Sequence, residues 1–497
     1  MIVPSIDIQR GHAVQLVGGA RLEIDAGEPG PFADRFALAG EVAVIDLDAA
    51  MGTGDNRDVV LSLLKRARCR VGGGIRDADA ALRWLDAGAE RVILGTAATP
   101  EVLRRLPRER VIAALDARAG EVMTHGWQTR SGRRLEDRID ELAPHVPYAP
   151  GSPFSPDRDR HPNDESNGST HLWEQWNRQG WETYREHAPR FVAEFGWQGP
   201  PAWTTLTRAL SDDPLTPESP GMQVHQKAME GNQKLVDGLL PHYRVPRDME
   251  TWHWAMQLNQ ANAVSAALDH FRAHAPHTSG AVVWQLNDCW PVTSWAAVDG
   301  DGREKPLFFA LANAFAPRVI TIQPRGAGLV AVLGNDTAEA WEGELALTRL
   351  DYGGGELAAV RVPVSLAPRS SATVVIPDAV AAGADPASEL LVASLDGVRG
   401  LWFLARPRDS ALPAPRFEVS TSAVDYGVLV TVTAETLLRD ATLLVDKLDP
   451  DASVDSGLIT LLPGEAHVFR VRGAASADAA AFADARVLRT GNQLVGA

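Results

Sequence analysis

Cysteine is almost absent from this chain. Cys69 and Cys289 stand far apart and in no ligand spacing, so neither a disulfide framework nor a zinc site is expected, and a reduced cytoplasmic compartment is. Long apolar runs are missing too: nothing approaches the roughly 18 residues of a membrane-spanning helix. The net charge of -16 contains no Lys/Arg-rich run, which argues against a nucleic-acid partner. The opening Met1-Ile-Val-Pro-Ser enters a strand-like run directly, without the basic and apolar regions of an export signal. No repeat of fixed period and no low-complexity tract stands out. A chain of 497 residues exceeds one compact core, and about three or four domains are expected. No metal or cofactor is called for, the partner expected is a small molecule, and no signal of subunit number is present.

What is present changes character twice. Up to about residue 146, short apolar runs alternate with helical patterns: Ile2 to Ile8, Val42 to Leu47, Cys69 to Gly72, Arg91 to Gly95 and Val111 to Asp116. Helices are predicted between them at Arg57 to Ala67, Asp77 to Ala87 and Pro100 to Leu106, with Asp77 as N-cap. This rhythm is that of βα units on a parallel sheet. After Pro147 comes a loop-rich tract from Pro150 to Asn163, and tryptophan becomes frequent: Trp173, Trp176, Trp181, Trp197, Trp284, Trp290 and Trp295 are among those that follow, against Trp84 and Trp127 before. Indole faces stack on the C–H faces of sugars, but they also fill cores.

From about Ala316 the pattern is one of short alternating runs broken by turn residues: Val319 to Ile322, Leu329 to Leu333, Ala372 to Ile376, Glu389 to Ala393, Val428 to Val432 and Ala466 to Val471. It reads as two β-sandwiches with a hinge around Ala405 to Pro415. The expected domains are therefore 1–146, 147–315, 316–408 and 409–497.

In the first stretch Asp7 and Asp116 end predicted strands, at the rim where parallel barrels do chemistry. Two such carboxylates can divide acid and base roles, or simply cap the loops that follow. Gly72, Gly73 and Gly74 offer backbone N–H groups to a phosphate, as do Gly95 and Thr96, although tight turns alone also require glycine. Ile2-Val-Pro-Ser-Ile-Asp7, Asp46-Leu-Asp48-Ala-Ala with Gly52, Gly54 and Asn56, Val71-Gly-Gly-Gly-Ile-Arg76, Leu94-Gly-Thr96, Leu115-Asp116 and Gly126-Trp127 agree in order and spacing with one family. Over residues 1–146 the chain resembles the imidazole carboxamide ribotide isomerases of histidine biosynthesis. The resemblance implies Asp7 as base and Asp116 as acid of an Amadori-type rearrangement on a sugar phosphate, phosphate contacts from Gly73, Gly74, Gly95 and Thr96, and no cofactor. That family's sixth strand and two later phosphate loops have no counterpart after Val146.

In the second stretch Arg190-Phe-Val-Ala-Glu194-Phe-Gly196 is a strand ending in a carboxylate, and Gly280 to Asp288 is another strand with a polar end. Glu194 is either a nucleophile for an anomeric carbon or the partner of an arginine such as Arg190. Pro147-Tyr-Ala-Pro-Gly-Ser-Pro153, Thr170-His-Leu-Trp173-Glu-Gln-Trp176, Pro189 to Gln198, Leu258-Asn-Gln-Ala261 and Trp284-Gln-Leu-Asn-Asp-Cys-Trp290 with Trp295 follow in order. Residues 147–497 resemble the C-terminal part of the β-mannosidases of glycoside hydrolase family two. This implies Glu194 as the nucleophile of a retaining mechanism on terminal β-mannosides, with His171, Trp173, Trp284, Asn287, Trp290 and Trp295 around the sugar.

A retaining glycosidase needs a second carboxyl about 5–5.5 Å from the nucleophile. In that family it lies in an Asn-Glu motif, and no Asn-Glu dipeptide occurs here, so the expected hydrolysis is weak or lost. The expected fold is α/β plus all-β: a partial or chimeric (β/α)8 TIM-type barrel, built from about five and about four strands of the two stretches, followed by two immunoglobulin-like β-sandwiches. The alternatives to a glycosidase are the phosphoribosyl isomerase and a non-catalytic fusion product.

Overall fold

The computed structural model describes residues 3–17, 21–124, 129–143 and 149–495. Ile2, Gly126, Trp127, Val146, Pro147 and Tyr148, all of which bear on the motifs or junction above, lie outside the described residues. The chain divides into two compact units, Met1–Tyr148 and Ala149–Ala497.

The first unit is built on β1 (Ser5–Gln9), β2 (His12–Val17), β3 (Arg21–Gly27), β4 (Glu41–Asp46), β5 (Arg68–Gly72), β6 (Arg91–Leu94) and β7 (Val111–Ala113). They form one sheet in the order β3-β2-β1-β4-β5-β6-β7, with β1 and β4 to β7 parallel. Ile6, Ile8, Val42, Val44, Cys69 and Val71 turn to one side and are buried against the helices. Side chains alternate along a strand, so Asp7, Ile45, Gly72 and Ile93 face the other side.

Several elements depart from expectation. The hairpin of β2 and β3 prolongs the sheet in antiparallel fashion, and Asp7 lies in the middle of β1 because that strand runs on into the hairpin. The strand before Asp116 stops at Ala113, so Asp116 sits on the loop that leads to β8 (Ala117–Arg118), which joins β9 (Glu121–Thr124) and β10 (Thr129–Arg134) in a small antiparallel sheet. The predicted helices form but end early, at Leu63, Asp86 and Leu103. Asp77 caps its helix by accepting the Ala80 N–H at 2.7 Å.

The second unit opens with three parallel strands rather than four: β11 (Thr170–Leu172), β12 (Val192–Phe195) and β13 (Ala281–Val283), in the order β11-β12-β13. Both ladders slip by one residue, because β12 carries an extra residue between Val192 and Phe195 against each neighbour. The 24-residue helix Met249–Arg272 lies behind them and is buried nearly all round. It starts at Asp248, whose carboxylate accepts the Thr251 N–H at 2.7 Å.

The strands that follow are β14 (Arg318–Arg325), β15 (Gly328–Asn335), β16 (Trp341–Asp351), β17 (Glu356–Leu366), β18 (Ser370–Val375), β19 (Glu389–Leu395) and β20 (Val398–Phe403). They form sheets β14-β15-β18 and β17-β16-β19-β20, which share a core of Ile320, Leu333, Leu345 and Leu391. The last are β21 (Phe417–Val424), β22 (Gly427–Ala434), β23 (Leu438–Leu443), β24 (Ser453–Val454), β25 (Ile459–Leu461), β26 (Ala466–Arg472) and β27 (Leu488–Arg489). Their sheets β21-β22-β26-β24 and β25-β23-β27 enclose Val430, Leu438, Phe469 and Leu488. All six expected runs are strands, while the long hairpin of β16 and β17 adds a pair that alternation alone did not mark.

Candidate functional site

Val192 and Phe195 of β12 are fully buried, and the residue inserted between them bends the strand there. A bulge of this kind breaks strict alternation and re-aims a side chain. The side chain concerned is Glu194, opposite His171 of β11 and 31% exposed. Trp173 donates its indole N–H to Glu194 Oε2 at 3.1 Å, and His171 Nδ1 lies 3.5 Å from the same oxygen. Oε1 accepts no hydrogen bond among the described residues. One carboxylate oxygen is anchored and the other is open, which suits attack on an electrophilic carbon.

His171 is itself held. Its Nε2 is 2.7 Å from Ser152 Oγ, and Asn163 brackets its backbone, accepting from the N–H at 2.6 Å and donating to the carbonyl at 2.9 Å. A ring protonated at Nδ1 accepts from the serine and turns its N–H toward Glu194. Ser152 and Asn163 lie in the loop-rich tract, where periodicity carries no information, so their part in the site was not foreseen. Arg190, the expected structural partner of Glu194, instead points to His277 Nδ1 at 3.1 Å; its position two residues before the first residue of β12 sends it elsewhere.

The tryptophans divide. Trp295 packs edge-on against Trp173 with ring centroids 5.8 Å apart and against Trp176 at 6.2 Å, and Trp176 meets Trp197 at 5.2 Å. Trp284 joins through the backbone: its N–H donates to the Phe195 carbonyl at 2.8 Å, and its own carbonyl would lie 2.2 Å from a Cβ placed on Gly196, so only glycine fits after Phe195. Trp284 is 44% exposed. Trp290 and Asn287 are not joined to Glu194 by any described contact. Trp290 packs on His225 at 5.1 Å, and Asn287 is exposed, with its amide on the Asp288 carbonyl at 3.2 Å.

Buried polar groups hold the chain beyond β12. Gln260 donates to the Trp197 and Ser294 carbonyls at 2.8 and 3.1 Å, Gln257 to those of Pro200 and Pro201, and Asn259 to that of Gly238. The Leu258-Asn-Gln-Ala261 motif is thus a brace, and paired buried amides of this kind contribute about 1 kcal/mol each. Asp288 receives Lys227 at 2.9 Å and the Ser294 hydroxyl. Lys305 is 1% exposed and donates to the Gly199 carbonyl at 3.0 Å; burial pushes its ammonium down to about 7, although Asp288 and Asp299 oppose the shift.

In the first unit a cavity of about 1120 Å³ is lined by Asp7, Asp116, Gly73, Gly74, Gly95 and Thr96 together. Burial raises the carboxyls of Asp7 and Asp116, with a Ser5 hydroxyl at 3.3 Å opposing the shift at Asp7. Gly73 has φ +97°, and a Cβ there would fall 2.1 Å from the Asp46 carbonyl oxygen. The Asp46, Asp48 and Asn56 side chains form a buried network: Asn56 donates to Asp46 at 2.7 Å and Asp48 at 2.9 Å, and accepts the Gly11 N–H at 2.8 Å. These motif residues tie the β1–β2 turn to β4 rather than face the cavity. Arg118 also lines the cavity, its side chain with no hydrogen bond among the described residues; standing alone in a short strand, it gave no motif. No described group of three or more His, Cys, Asp or Glu side chains is placed to hold a metal ion, and no described helix is long and apolar enough to cross a membrane.

Comparison with known proteins finds relatives of two kinds. The model of the histidine biosynthesis protein family matches residues 1–145. Beta-mannosidase B of Thermothelomyces thermophilus is 34% identical over 203 residues, covering 38% of this chain and 24% of that protein. Beta-mannosidase B of Aspergillus oryzae is 29% identical over 195 residues, covering 38% and 23%. The chain thus spans about a quarter of the length of these relatives. Among solved structures, a β-D-mannosidase from Dictyoglomus thermophilum is similar with a TM-score of 0.63 at 20% identity, over 93% of this chain and 57% of that one. An exo-chitosanase from Amycolatopsis orientalis is similar with a TM-score of 0.51 at 15% identity, over 93% and 61%. The chain is mixed α/β with many sheets, resembling a β-mannosidase in the second stretch and a histidine-biosynthesis protein in the first.

Proposed function

We propose that the second unit is a β-mannosidase-like retaining glycoside hydrolase with Glu194 as nucleophile, acting weakly on terminal β-mannosides. The observation that carries this reading is the Glu194 carboxylate, with Oε2 held by Trp173, Oε1 open and a third of the side chain exposed. In the first step Oε1 bonds to the anomeric carbon while the glycosidic bond breaks and the leaving oxygen takes the electron pair. Water then hydrolyses the glycosyl ester with net retention. Trp173, Trp295 and Trp284 supply faces for the sugar and His171 positions the carboxylate; Trp290 and Asn287 are assigned to more distant contacts. The chain has no Asn-Glu proton donor, so an aglycone that leaves without protonation is the substrate of choice; general acid help is worth about 10²–10⁴-fold to a poor leaving group.

The finer architecture belongs to the same proposal. The parallel strands of each unit are read as stretches of a TIM-type (β/α)8 barrel, 147–315 as the barrel part of the second, and 316–408 and 409–497 as immunoglobulin-like β-sandwiches.

A second reading rests on the first unit. Asp7, Asp116 and both glycine turns line one cavity, and two half-buried carboxyls with raised pKa values suit proton transfer in an aldose–ketose isomerisation of a sugar phosphate.

Incubation with a 2-fluoro mannoside bearing an activated leaving group, followed by mass spectrometry, tests the first reading. A label on the Glu194 peptide, absent in Glu194→Gln, is the expected result. No label on folded protein overturns it and leaves the isomerase and inert-fusion readings, which binding of a phosphoribosyl ligand to the first unit separates.

A further inference from the structure

A second cavity in the Ala149–Ala497 unit, of about 830 Å³, shares no lining residue with the Glu194 cluster. It is lined by the segment Trp181–Glu186, the helix Met249–Arg272, β14, β20 and the start of β23. Of its cations, Arg318 donates to the Ala340 carbonyl at 3.2 Å and lies over Trp341, and the other four fall into two kinds. Arg406 is answered by Glu182 through two bonds of 3.0 and 2.5 Å, and Arg399 by Glu465 at 2.8 and 3.0 Å. Arg185 and Arg439 are not answered in this way.

The guanidinium of Arg185 lies over the Trp402 ring, 5.3 Å from its centroid, and makes no hydrogen bond or ion pair among the described residues; its Nε is buried. That of Arg439 lies over Phe403 at 3.9 Å, with Nε and Nη1 buried and without a hydrogen-bond partner; its nearest carboxylate oxygen belongs to Asp440, 3.5 Å from Nε. His242, 2% exposed and stacked on Trp181 at 4.0 Å, leaves Nδ1 without a hydrogen bond, and its charged form is disfavoured by burial and by Arg406, Arg439 and Arg185. Guanidinium N–H groups buried without a hydrogen bond, as at Arg185 Nε and Arg439 Nη1, are costly, whereas a planar or tetrahedral oxyanion matches their geometry. The other facing carboxyls are Asp269 and Asp440, and burial raises both, weakening them as competitors.

We propose that this cavity binds a small oxyanion, a carboxylate, phosphate or sulfate group, through Arg185, Arg439 and His242. The proposal is independent of the glycosidase reading. It is tested on the full chain by thermal melting with sodium sulfate, phosphate or glucuronate at constant ionic strength, with glucose as neutral control, up to roughly 50 mM, where a millimolar site saturates. The melting temperature should rise with at least one anion and not with glucose. Glucuronate alone identifies a carboxylated sugar; sulfate and phosphate alone identify a tetrahedral oxyanion. The double variant Arg185→Met with Arg439→Met should bind at least about tenfold more weakly; because it also removes the Asp440 ion pair and two cation–π contacts, its own melting temperature without anion is the reference for its response. No response to any anion, or a response that survives the double variant, overturns the proposal. Should that variant not fold, the anomalous signal of selenate soaked into crystals of the parent decides: a peak within hydrogen-bond distance of Arg185 or Arg439 upholds the site, and its absence there overturns it.

Discussion

Trp173 and Glu194 are joined by an indole N–H bond of 3.1 Å across neighbouring parallel strands, where an extra residue in β12 brings the carboxylate to the indole. Replacing Trp173 with Phe keeps a ring and deletes the donor. Hydrogen bonds to charged groups contribute about 1.5–3 kcal/mol, so trapping of Glu194 by the fluoro mannoside should slow by roughly tenfold or more. Time-resolved mass spectrometry measures this; an unchanged rate would mean the bond does not orient the nucleophile.

Gly73 and Gly95 line one cavity but differ in what they require. Gly73→Ala places a Cβ 2.1 Å from a backbone oxygen at positive φ, and a loss above about 2 kcal/mol is expected. Gly95 faces open space, so Gly95→Ala should stay within about 0.5 kcal/mol. Hydrogen exchange of the β4 to β6 peptides in the full chain distinguishes the two.

Glu41, 6% exposed at the start of β4, pairs with Arg70 at 2.5 Å and with Arg91. These partners hold its carboxyl below the ordinary 4.5. A depressed acid contributes stability above its unfolded pKa and loses it as pH falls through the folded one, so the first unit should weaken below about pH 4.5. Glu41→Gln removes the carboxylate that both arginines share, while Arg91 keeps the Glu109 carbonyl at 3.1 Å, and should cost about 2–3 kcal/mol at pH 7, less than an enclosed pair because the arginines keep part of their surface in water. Urea midpoints at pH 7 and 4 check both effects, and the variant should show the smaller acid loss.

Lys305 gives a pH slope of the same sign at higher pH, but here the charged form destabilises the fold where that of Glu41 stabilises it. Between about 7 and 10.5 the unfolded chain holds a proton that the folded one does not, so this group makes stability rise with pH across that window. Lys305→Met should flatten the rise and stabilise the second unit at pH 6 by a few kcal/mol, since the Gly199 carbonyl still accepts the Ser294 N–H at 3.2 Å. Urea denaturation at pH 6 and 9, with parent and variant compared, provides the measurement; a slope unchanged by the substitution would count against a buried, neutral lysine.

Local patterns determined much of this protein. The short apolar runs from Val42 to Leu94 and the alternating runs from Val319 to Val471 marked their strands, and Asp77 marked its helix start, because hydrophobic patterning and cap chemistry act within a few residues. Carboxylates at predicted strand ends marked Asp7, Asp116 and Glu194 as residues of interest. Tertiary structure alone decided the rest. The extra residue in β12 exists only relative to two partner strands, the pairing of His171 with Ser152 and Asn163 depends on a loop without periodicity, and Gln260 braces Trp197 from 63 residues away. Trp290 and Trp295 look alike in the chain, yet one meets His225 and the other Trp173, because packing partners are set by the whole fold and not by spacing.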